Sequence, residues 1–362
     1  MQKTPVLDFF LGALAPSGFR GWFRAAADEP HQTPWLIKAG PGCGKSTLMR
    51  RLLAAAPPAP AGGWNERLHC SSDPDSLDGV RLPGARALFL DATAPHTLDS
   101  KYPGAAERVL SLYDTLDAAS LAAHRAGILA LGARHAALMQ QAAAHWALAC
   151  ALLQRRRALD AAALDADRLQ RFTARLAART MPRRRGAAPG LQRHRLLSAP
   201  TPGKLTVFTA TAPALAPAAL YALHDPCGAA AAQMLAQLAE HARENGYEAI
   251  LCHCPTDQGG KLDHLFIPER GLGFVTANRW HPMQCPGQKN IHTARFRRPG
   301  APDGSAPAAW YRRTAGALVQ KTCDVQTAAK AMHDELERYY VHATDFAAVD
   351  ALRGRVEREL FA

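Results

Sequence analysis

The sequence contains no apolar run that approaches the roughly 20 residues a membrane-spanning helix needs. Hydrophobic residues make up 48% of the 362 residues and charged residues 20%, which is the balance of a soluble globular protein. This length is that of two ordinary domains, each able to bury its own core. We therefore expect a two-domain protein that does not use a membrane as a partner.

Cysteine is also scarce, with 8 residues in the whole chain. These are too few for a disulfide scaffold, and their spacing matches no zinc-binding pattern. Together with the nucleotide site argued below, this cysteine usage predicts a reducing, cytoplasmic location.

Acidic residues are sparse in one segment only. The net charge of +12 lies almost entirely in residues 151–205, which include the arginine runs 155–157 and 183–185. A solvated helix face followed by a linker is one interpretation of this segment. Contact with nucleic acid or another polyanion is the alternative.

Glycine and proline nearly disappear between Gly132 and Thr180, where apolar residues recur at helical spacing. The segment 105–180 is therefore predicted to form two or three helices, including a projecting antiparallel pair. The Pro-, Gly- and Arg-rich stretch 181–202 is the best domain boundary. We place the domains at residues 1–192 and 193–362, with a further helical tail closing the second.

A glycine-rich turn follows the short apolar run 35–39 and leads into a helical sequence. It matches a phosphate-binding loop, with Ala39 where the stricter pattern has glycine. Its glycines allow successive backbone N–H groups to face a phosphate, and the helix directs its positive end at the same anion. Lys45 is expected to reach the β- and γ-phosphates, and the Ser46 hydroxyl to bind Mg²⁺. The predicted nucleotide-binding residues are Gly40, Pro41, Gly42, Cys43, Gly44, Lys45, Ser46 and Thr47.

A later apolar run, 87–90, ends at Asp91, the natural carboxylate to share Mg²⁺ with Ser46. Lys45 and Asp91 are therefore the predicted catalytic residues. Ala92 follows, where many ATP-driven motors have a glutamate, so a kinase-like or slow, regulated NTPase is favoured over a motor. The alternation of strands and helices predicts a mostly parallel α/β sheet in a three-layer domain.

Four other residues follow predicted strands and are candidates to contact substrate or to sense the γ-phosphate: His69, Asp73, Asp78 and His96. The aspartates suit Mg²⁺, water or a substrate hydroxyl, but they are also common as turn and cap residues. For His69 and its neighbour Cys70, a buried thiol beside a hydrogen-bonded histidine competes with metal binding.

Several short motifs of the first half recur in the second half, at an offset of about half the chain. Cys43-Gly44 matches Cys227-Gly228, and His69-Cys70 matches His253-Cys254, which indicates a tandem duplication. The predicted fold is therefore two P-loop NTPase-like domains in tandem, each with a helical hairpin extension. In the second copy the residues equivalent to Lys45, Ser46 and Asp91 are Ala229, Ala230 and Thr276. Only the first half is expected to perform phosphate chemistry.

The stretches 69–79 and 91–96, with Lys101-Tyr102-Pro103-Gly104 after them, resemble a family of uncharacterised bacterial tandem P-loop ATPases. The resemblance covers most of the chain and is densest over residues 9–115. It implies ATP or GTP binding with no agreed substrate. That family commonly carries a phosphate loop in its second half as well, which Ala229 and Ala230 put in doubt here.

The sequence thus favours a cytoplasmic, Mg²⁺-dependent ATP- or GTP-binding NTPase, either an ATPase or a nucleotide kinase-like protein. The second half would be a regulatory or substrate-binding copy. The alternative is a nucleotide-switched, nucleic-acid-associated binding protein with little catalysis, which would use residues 151–205. An arginine facing the first nucleotide would come from the second half or from the folded-back segment 155–157. The second-half candidates are Arg279, Arg295, Arg297 and Arg298.

Overall fold

The computed structural model describes residues 4–257, 260–301 and 305–361 of the chain. Its secondary structure falls into two halves with matching element order. The elements of the first half are β1 (Val6–Phe10), β2 (Gly12–Ala15), β3 (Gly18–Gly21), α1 (Phe23–Ala27), β4 (Thr33–Lys38), α2 (Lys45–Ala55), β5 (Asn65–His69), β6 (Leu77–Leu82), β7 (Ala87–Asp91), β8 (Arg108–Ser111), α3 (Ala118–Ala123), α4 (Arg125–Ala161) and α5 (Ala166–Thr180).

The second half repeats this order without a counterpart of α3 among the described residues. Its elements are β9 (Gln192–Arg195), β10 (Ser198–Thr201), β11 (Lys204–Val207), α6 (Thr211–Leu215), β12 (Ala219–His224), α7 (Ala229–Glu244), β13 (Ala249–His253), β14 (Leu262–Ile267), β15 (Leu272–Ala277), β16 (Lys289–His292), α8 (Ser305–His342) and α9 (Phe346–Phe361).

The strands form two mixed, mostly parallel six-stranded sheets, so the α/β class expected from the sequence is confirmed. The strand orders are β1-β5-β6-β7-β4-β8 and β9-β13-β14-β15-β12-β16, which correspond strand by strand. In each sheet one strand, β6 or β14, is antiparallel to both of its neighbours, and the other pairs are parallel. The serine, aspartate and proline residues of the stretch 71–79 predict a loop, whereas in the structure the chain returns through β6 from Leu77 onward.

Alternate residues of each sheet face different cores, as the two-residue period of a strand requires. In β4, Ile37 packs toward α2 and α9, whereas Leu36 enters a core that also contains Ala222 of β12. Leu223 faces the opposite side, toward α5 and α7. The inner faces of the two sheets thus share one core, together with α1 and α6. The halves are therefore fused by packing rather than merely linked.

Charged residues also join the halves. Arg195 of β9 is completely buried and donates to Glu66 of β5 at 2.8 Å and to Glu29 at 2.7 Å. Although burial raises the pKa of Glu66, the charges of Arg195 and Arg81 lower it to about 2. Two of the arginines in the basic segment 151–205 are therefore buried structural partners, because Arg193 pairs with Glu29 in the same way.

The long helices are exchanged between the halves, which differs from the predicted hairpin. Helix α4 lies antiparallel along α8, so that Gly127 is beside Tyr339 and His135 is beside His333. Helix α5 packs on α7, and α9 packs on α2. The apolar stripe of α4, which includes Trp146, is buried in a cluster with Val319 of α8. An amphipathic stripe reveals that a helix has a partner but not which element supplies it.

Helix α4 is also long and apolar enough to cross a membrane, judged by length and composition alone. The expectation that no segment reaches that threshold was therefore wrong. Single polar residues such as His135 and Gln140 interrupt the run, but alanine and leucine keep the stretch apolar on average. In the structure this helix packs along α8, and residues such as Trp146 and Cys150 are buried.

Candidate functional site

The glycine-rich turn after β4, residues 39–46, is called here the first loop. Gly42 and Gly44 adopt φ angles of 68° and 81°, which residues with a side chain rarely tolerate. Helix α2 begins directly after Gly44. Cys43 is buried and its thiol donates to the carbonyl of Pro41 at 3.4 Å, whereas Thr47 is exposed on the first turn of the helix.

Lys45 and Asp91 face each other at this loop. Strand β7 lies next to β4 and parallel to it, so its carboxyl end brings Asp91 to the start of α2. The Lys45 Nζ lies 3.4 Å from the Asp91 Oδ2 and donates to the carbonyl of Gly40 at 2.7 Å. The Asp91 Oδ1 accepts from the backbone N–H of Thr93 at 2.9 Å. The residues predicted to form the catalytic pair are therefore adjacent.

Ser46 and Asp78 meet at the same edge of the sheet. The Ser46 hydroxyl accepts from the backbone N–H of Leu77 at 3.1 Å, which fixes the start of β6 beside α2. Asp78 is 3% exposed, and its Oδ2 is buried without a hydrogen-bond partner within the described ranges. His96 Nε2 lies 3.3 Å from the Asp78 Oδ1. Two of the four further candidates, Asp78 and His96, therefore lie at the loop.

Cys70, Asp78 and His96 form a compact group whose donor atoms lie within 4.8 Å of one another. Burial and the Asp78 charge raise the pKa of the Cys70 thiol well above its usual range, so this thiol stays protonated. Burial lowers the pKa of His96, but Asp78 outweighs it and the net shift is upward. Thiol and imidazole suit zinc-like metals, whereas the oxygen donors Ser46, Asp78 and Asp91 suit Mg²⁺.

His69 and Asp73, the other two candidates, contact other parts of the molecule. His69 Nε2 bonds to Asp8 Oδ1 at 2.8 Å, and its ring packs against Phe208 of the second half. It therefore lies at the junction of the halves. Asp73 accepts from the Ser76 hydroxyl at 2.8 Å and lies 3.7 Å from Lys330 of α8.

The ends of α8 and α9 cover the first loop. A Cβ atom at Gly40 would lie 2.6 Å from the Tyr340 ring, and one at Gly44 would lie 3.4 Å from the Phe346 ring. Glu337 packs against the loop, since a Cβ at Gly42 would lie 3.2 Å from the Glu337 Cβ. The His333 side chain, 3.3 Å from the Glu337 carboxylate, and the nearby backbone N–H of Gly42 both lower the pKa of Glu337. No local motif in residues 328–361 marks them as part of this site, so the sequence alone did not predict that α8 and α9 cover the first loop.

The corresponding turn after β12, residues 225–230, is called here the second loop. Between strand and helix it is two residues shorter than the first loop. Asp225 fills it with a carboxylate: Oδ1 accepts from the N–H groups of Cys227 at 3.1 Å and Gly228 at 2.8 Å, and Oδ2 from Ala231 at 2.8 Å. An acidic residue inside the turn was the available sequence signal, because a carboxylate occupies the donors that an anion would need.

A lysine also lies beside the second loop, but it comes from a different element than Lys45 does. The Cε of Lys261, just before β14, lies 3.2 Å from the position a Cβ at Gly228 would take. Its ammonium pairs with buried Asp263, whose other oxygen lies 3.4 Å from His281 Nε2. The carboxylate and histidine of the first site thus recur, but the hydroxyl of Thr276, in the place of Asp91, has no partner among the described residues.

The arginines expected to face the first nucleotide lie elsewhere, so that expectation was wrong. Arg297 pairs with Asp160, and the Arg298 guanidinium donates to Ala162, which anchors the turn between α4 and α5. Arg295 lies over Phe172 and Arg279 over Trp280. These side chains are held by partners within the second half or from α4 and α5.

The segment 151–205 is less positive at the surface than its composition indicates. Arg157 pairs with Asp257 and Arg184 with Glu269, in addition to the buried pairs of Arg193 and Arg195. Arg156 is buried at the second loop, so the segment 155–157 lies over that loop and not over the first.

No family model, curated protein or solved structure matches the chain. The resemblance to tandem P-loop ATPases therefore stays a prediction, and function is argued from the geometry of the first loop.

Proposed function

We propose that this chain is a Mg²⁺-dependent nucleoside triphosphate-binding protein whose first loop holds the phosphates. The observation that carries the proposal is the pairing of Lys45 with Asp91 at a helix that begins after two glycines of positive φ. Lysine, carboxylate and free helix N–H groups are what a Mg²⁺-bound triphosphate requires around it.

Each residue at the loop has a distinct role in this proposal. Lys45 would leave the carbonyl of Gly40 and bind the phosphates as a point charge. The Ser46 hydroxyl and Asp91 would hold Mg²⁺, and the Oδ2 of Asp78, which has no hydrogen-bond partner among the described residues, adds a third oxygen suited to it. His96, whose pKa is raised by Asp78, would place a donor toward the terminal phosphate.

Binding must compete with a group of the chain itself. The N–H of Gly42 is one of the donors expected to face a phosphate, and Glu337 of α8 packs against this residue, whose N–H lowers the pKa of the Glu337 carboxylate. Two anions do not share one donor at low cost, so the triphosphate would have to displace the Glu337 carboxylate. This competition is consistent with a slow, regulated NTPase.

The test is calorimetric titration of the full-length protein with ATP and with GTP, each in Mg²⁺. Replacing Lys45 by alanine should weaken binding by roughly tenfold to a hundredfold, because a charged hydrogen bond is lost. Lys204→Ala is the matched control, since Lys204 is exposed on β11 and belongs to the other half. It should bind like the wild type.

Removal of Mg²⁺ with a chelator should lower the affinity of the wild type, and Asp91→Asn should lose most of this dependence. Equal ATP affinity in the wild type and in Lys45→Ala would remove the site assignment. Release of inorganic phosphate over the same titration would then separate an enzyme from a binding protein.

A further inference from the structure

A cavity of about 60 Å³ lies between α4 and the second loop. Helix α4 contributes Trp146 and Arg156, and the second half contributes Gly228, Lys261 and Trp280. The walls are therefore built from both halves, and they include arginine, lysine and tryptophan side chains.

Three N–H donors of these side chains have no acceptor among the described residues. Arg156 is only 7% exposed, and its Nε is buried without a hydrogen-bond partner in the part of the chain that the structure describes. The indole Nε1 atoms of Trp146 and Trp280 are in the same condition. Buried N–H groups are almost always paired in native proteins, so three unpaired donors around one cavity indicate that an acceptor belongs there.

The neighbouring cations differ from Arg156 in that each has an anion of its own. Arg157 pairs with Asp257, and Lys261 pairs with Asp263. Asp225 is occupied by three N–H groups of the second loop. The Arg156 guanidinium is the cation at this cavity that lacks a close ion pair among the described side chains, although its charge lowers the pKa of Asp160 one turn farther along α4. Burying a guanidinium without a close partner is costly.

The size of the cavity limits the missing acceptor. A water molecule needs roughly 10–15 Å³ of such space, so about 60 Å³ accommodates roughly four to six oxygen-sized groups. That is the size of a tetrahedral oxyanion. Arginine presents several N–H groups in a fixed fork that matches phosphate oxygens, and indole N–H groups can only donate.

We propose that this cavity is a binding site for a small oxyanion of the phosphate class, held by Arg156 with the indole N–H groups of Trp146 and Trp280. The ligand is inorganic phosphate or the phosphoryl group of a small phosphate monoester. The second loop does not hold it as a phosphate loop would, because Asp225 already takes the loop donors. The site is separate from the first loop and does not depend on nucleotide binding there.

The test uses the full-length protein carrying Lys45→Ala, so that the first loop contributes little. Thermal unfolding and calorimetry are followed with sodium phosphate, with glycerol 3-phosphate, and with sodium chloride at matched ionic strength. We expect saturable phosphate binding and a rise in melting temperature that chloride does not reproduce. Binding of glycerol 3-phosphate as well would identify the phosphoryl group as the recognised unit, whereas phosphate alone would identify the free ion.

Arg156→Gln should weaken this binding by roughly tenfold to a hundredfold. Arg155→Gln, at the exposed neighbouring position, should leave the phosphate affinity unchanged. Without phosphate, Arg156→Gln should melt no lower than its parent, because Arg156 has no close ion pair among the described side chains to lose. Trp280→Phe, which keeps the ring but deletes the N–H, should also weaken binding.

Absence of any phosphate-specific effect would mean that water alone fills the cavity, and would overturn the proposal. So would loss of stability in phosphate-free Arg156→Gln, because Arg156 would then have a structural partner. Neither result would bear on ATP binding, which is measured with Lys45 intact.

Discussion

The first and second loops follow corresponding strands in sheets of the same order, yet they are closed by carboxylates of different origin. In the second loop Asp225, a residue of the loop itself, accepts from three backbone N–H groups. In the first loop Glu337 comes from α8, in the other half of the chain, and packs against Gly42, whose N–H lowers the pKa of the Glu337 carboxylate. One anion is fixed by the backbone beside it, and the other depends on how a distant helix packs.

Asp225 is therefore a permanent part of the second loop, whereas Glu337 can be displaced from the first loop. Asp225 is 1% exposed and could not leave without exposing unpaired donors at the start of α7. Glu337 is partly exposed and stands at the end of a long side chain. The comparison teaches that a turn between a strand and a helix can keep its shape by supplying its own anion.

The largest expected effect comes from removing the fixed carboxylate. Asp225→Ala should lower the free energy of unfolding by about 3 kcal/mol, because three buried N–H groups lose a charged acceptor. Urea denaturation of the full-length protein measures this change. Asp225→Asn keeps one acceptor oxygen and should recover part of the loss, and Asp257→Ala, at a partly exposed pair, should cost under about 1 kcal/mol. A loss below about 1 kcal/mol in Asp225→Ala would contradict the structural role.

The two halves also differ in how they hold an equivalent histidine, and this difference should appear as acid sensitivity. His69 bonds to Asp8, whereas His253 bonds to His194 Nδ1 at 2.8 Å. Burial, with the charge of His194, lowers the pKa of His253 to about 3. The His253 imidazole therefore takes up a proton near pH 6.5 in the unfolded chain but stays neutral in the folded chain. The free energy of unfolding must fall as pH drops from 6.5 toward 3.

For His253 alone the expected loss is about 1.4 kcal/mol for each pH unit in that window. Denaturation at pH 7, 6 and 5 measures it. His253→Gln should flatten the slope by that amount, whereas His342→Gln, at an exposed position, should leave it unchanged. An identical slope in wild type and His253→Gln would show that this histidine is not held neutral.

The smallest expected effect concerns the displaceable carboxylate. Glu337→Gln should tighten binding of Mg²⁺-ATP by about threefold to tenfold, because a negative charge no longer competes for the Gly42 N–H. Glu335→Gln on the exposed side of the same helix is the matched control and should not change the affinity. Unchanged or weaker binding in Glu337→Gln would show that Glu337 does not compete with the phosphates.

Local pattern predicted a large part of the core of the fold. The apolar runs 35–39 and 87–90 correspond to β4 and β7, and the helical sequence after the glycine-rich turn is α2. Strand β6 was missed because the polar, proline-containing stretch 71–76 before it has the composition of a loop. Its antiparallel insertion between β5 and β7 depends on contacts across the sheet, which period alone does not specify.

The sequence by itself determined the features that depend on neighbours in the chain. A strand, a glycine turn and a helix place Lys45 and Ser46 together, and the next parallel strand must end beside them at Asp91. Only the tertiary structure decided what covers the two loops. Glu337 and Arg156 stand on helices that pack across to the opposite half, and an apolar helix face accepts any complementary surface. Which surface it meets is fixed by the packing of the whole molecule.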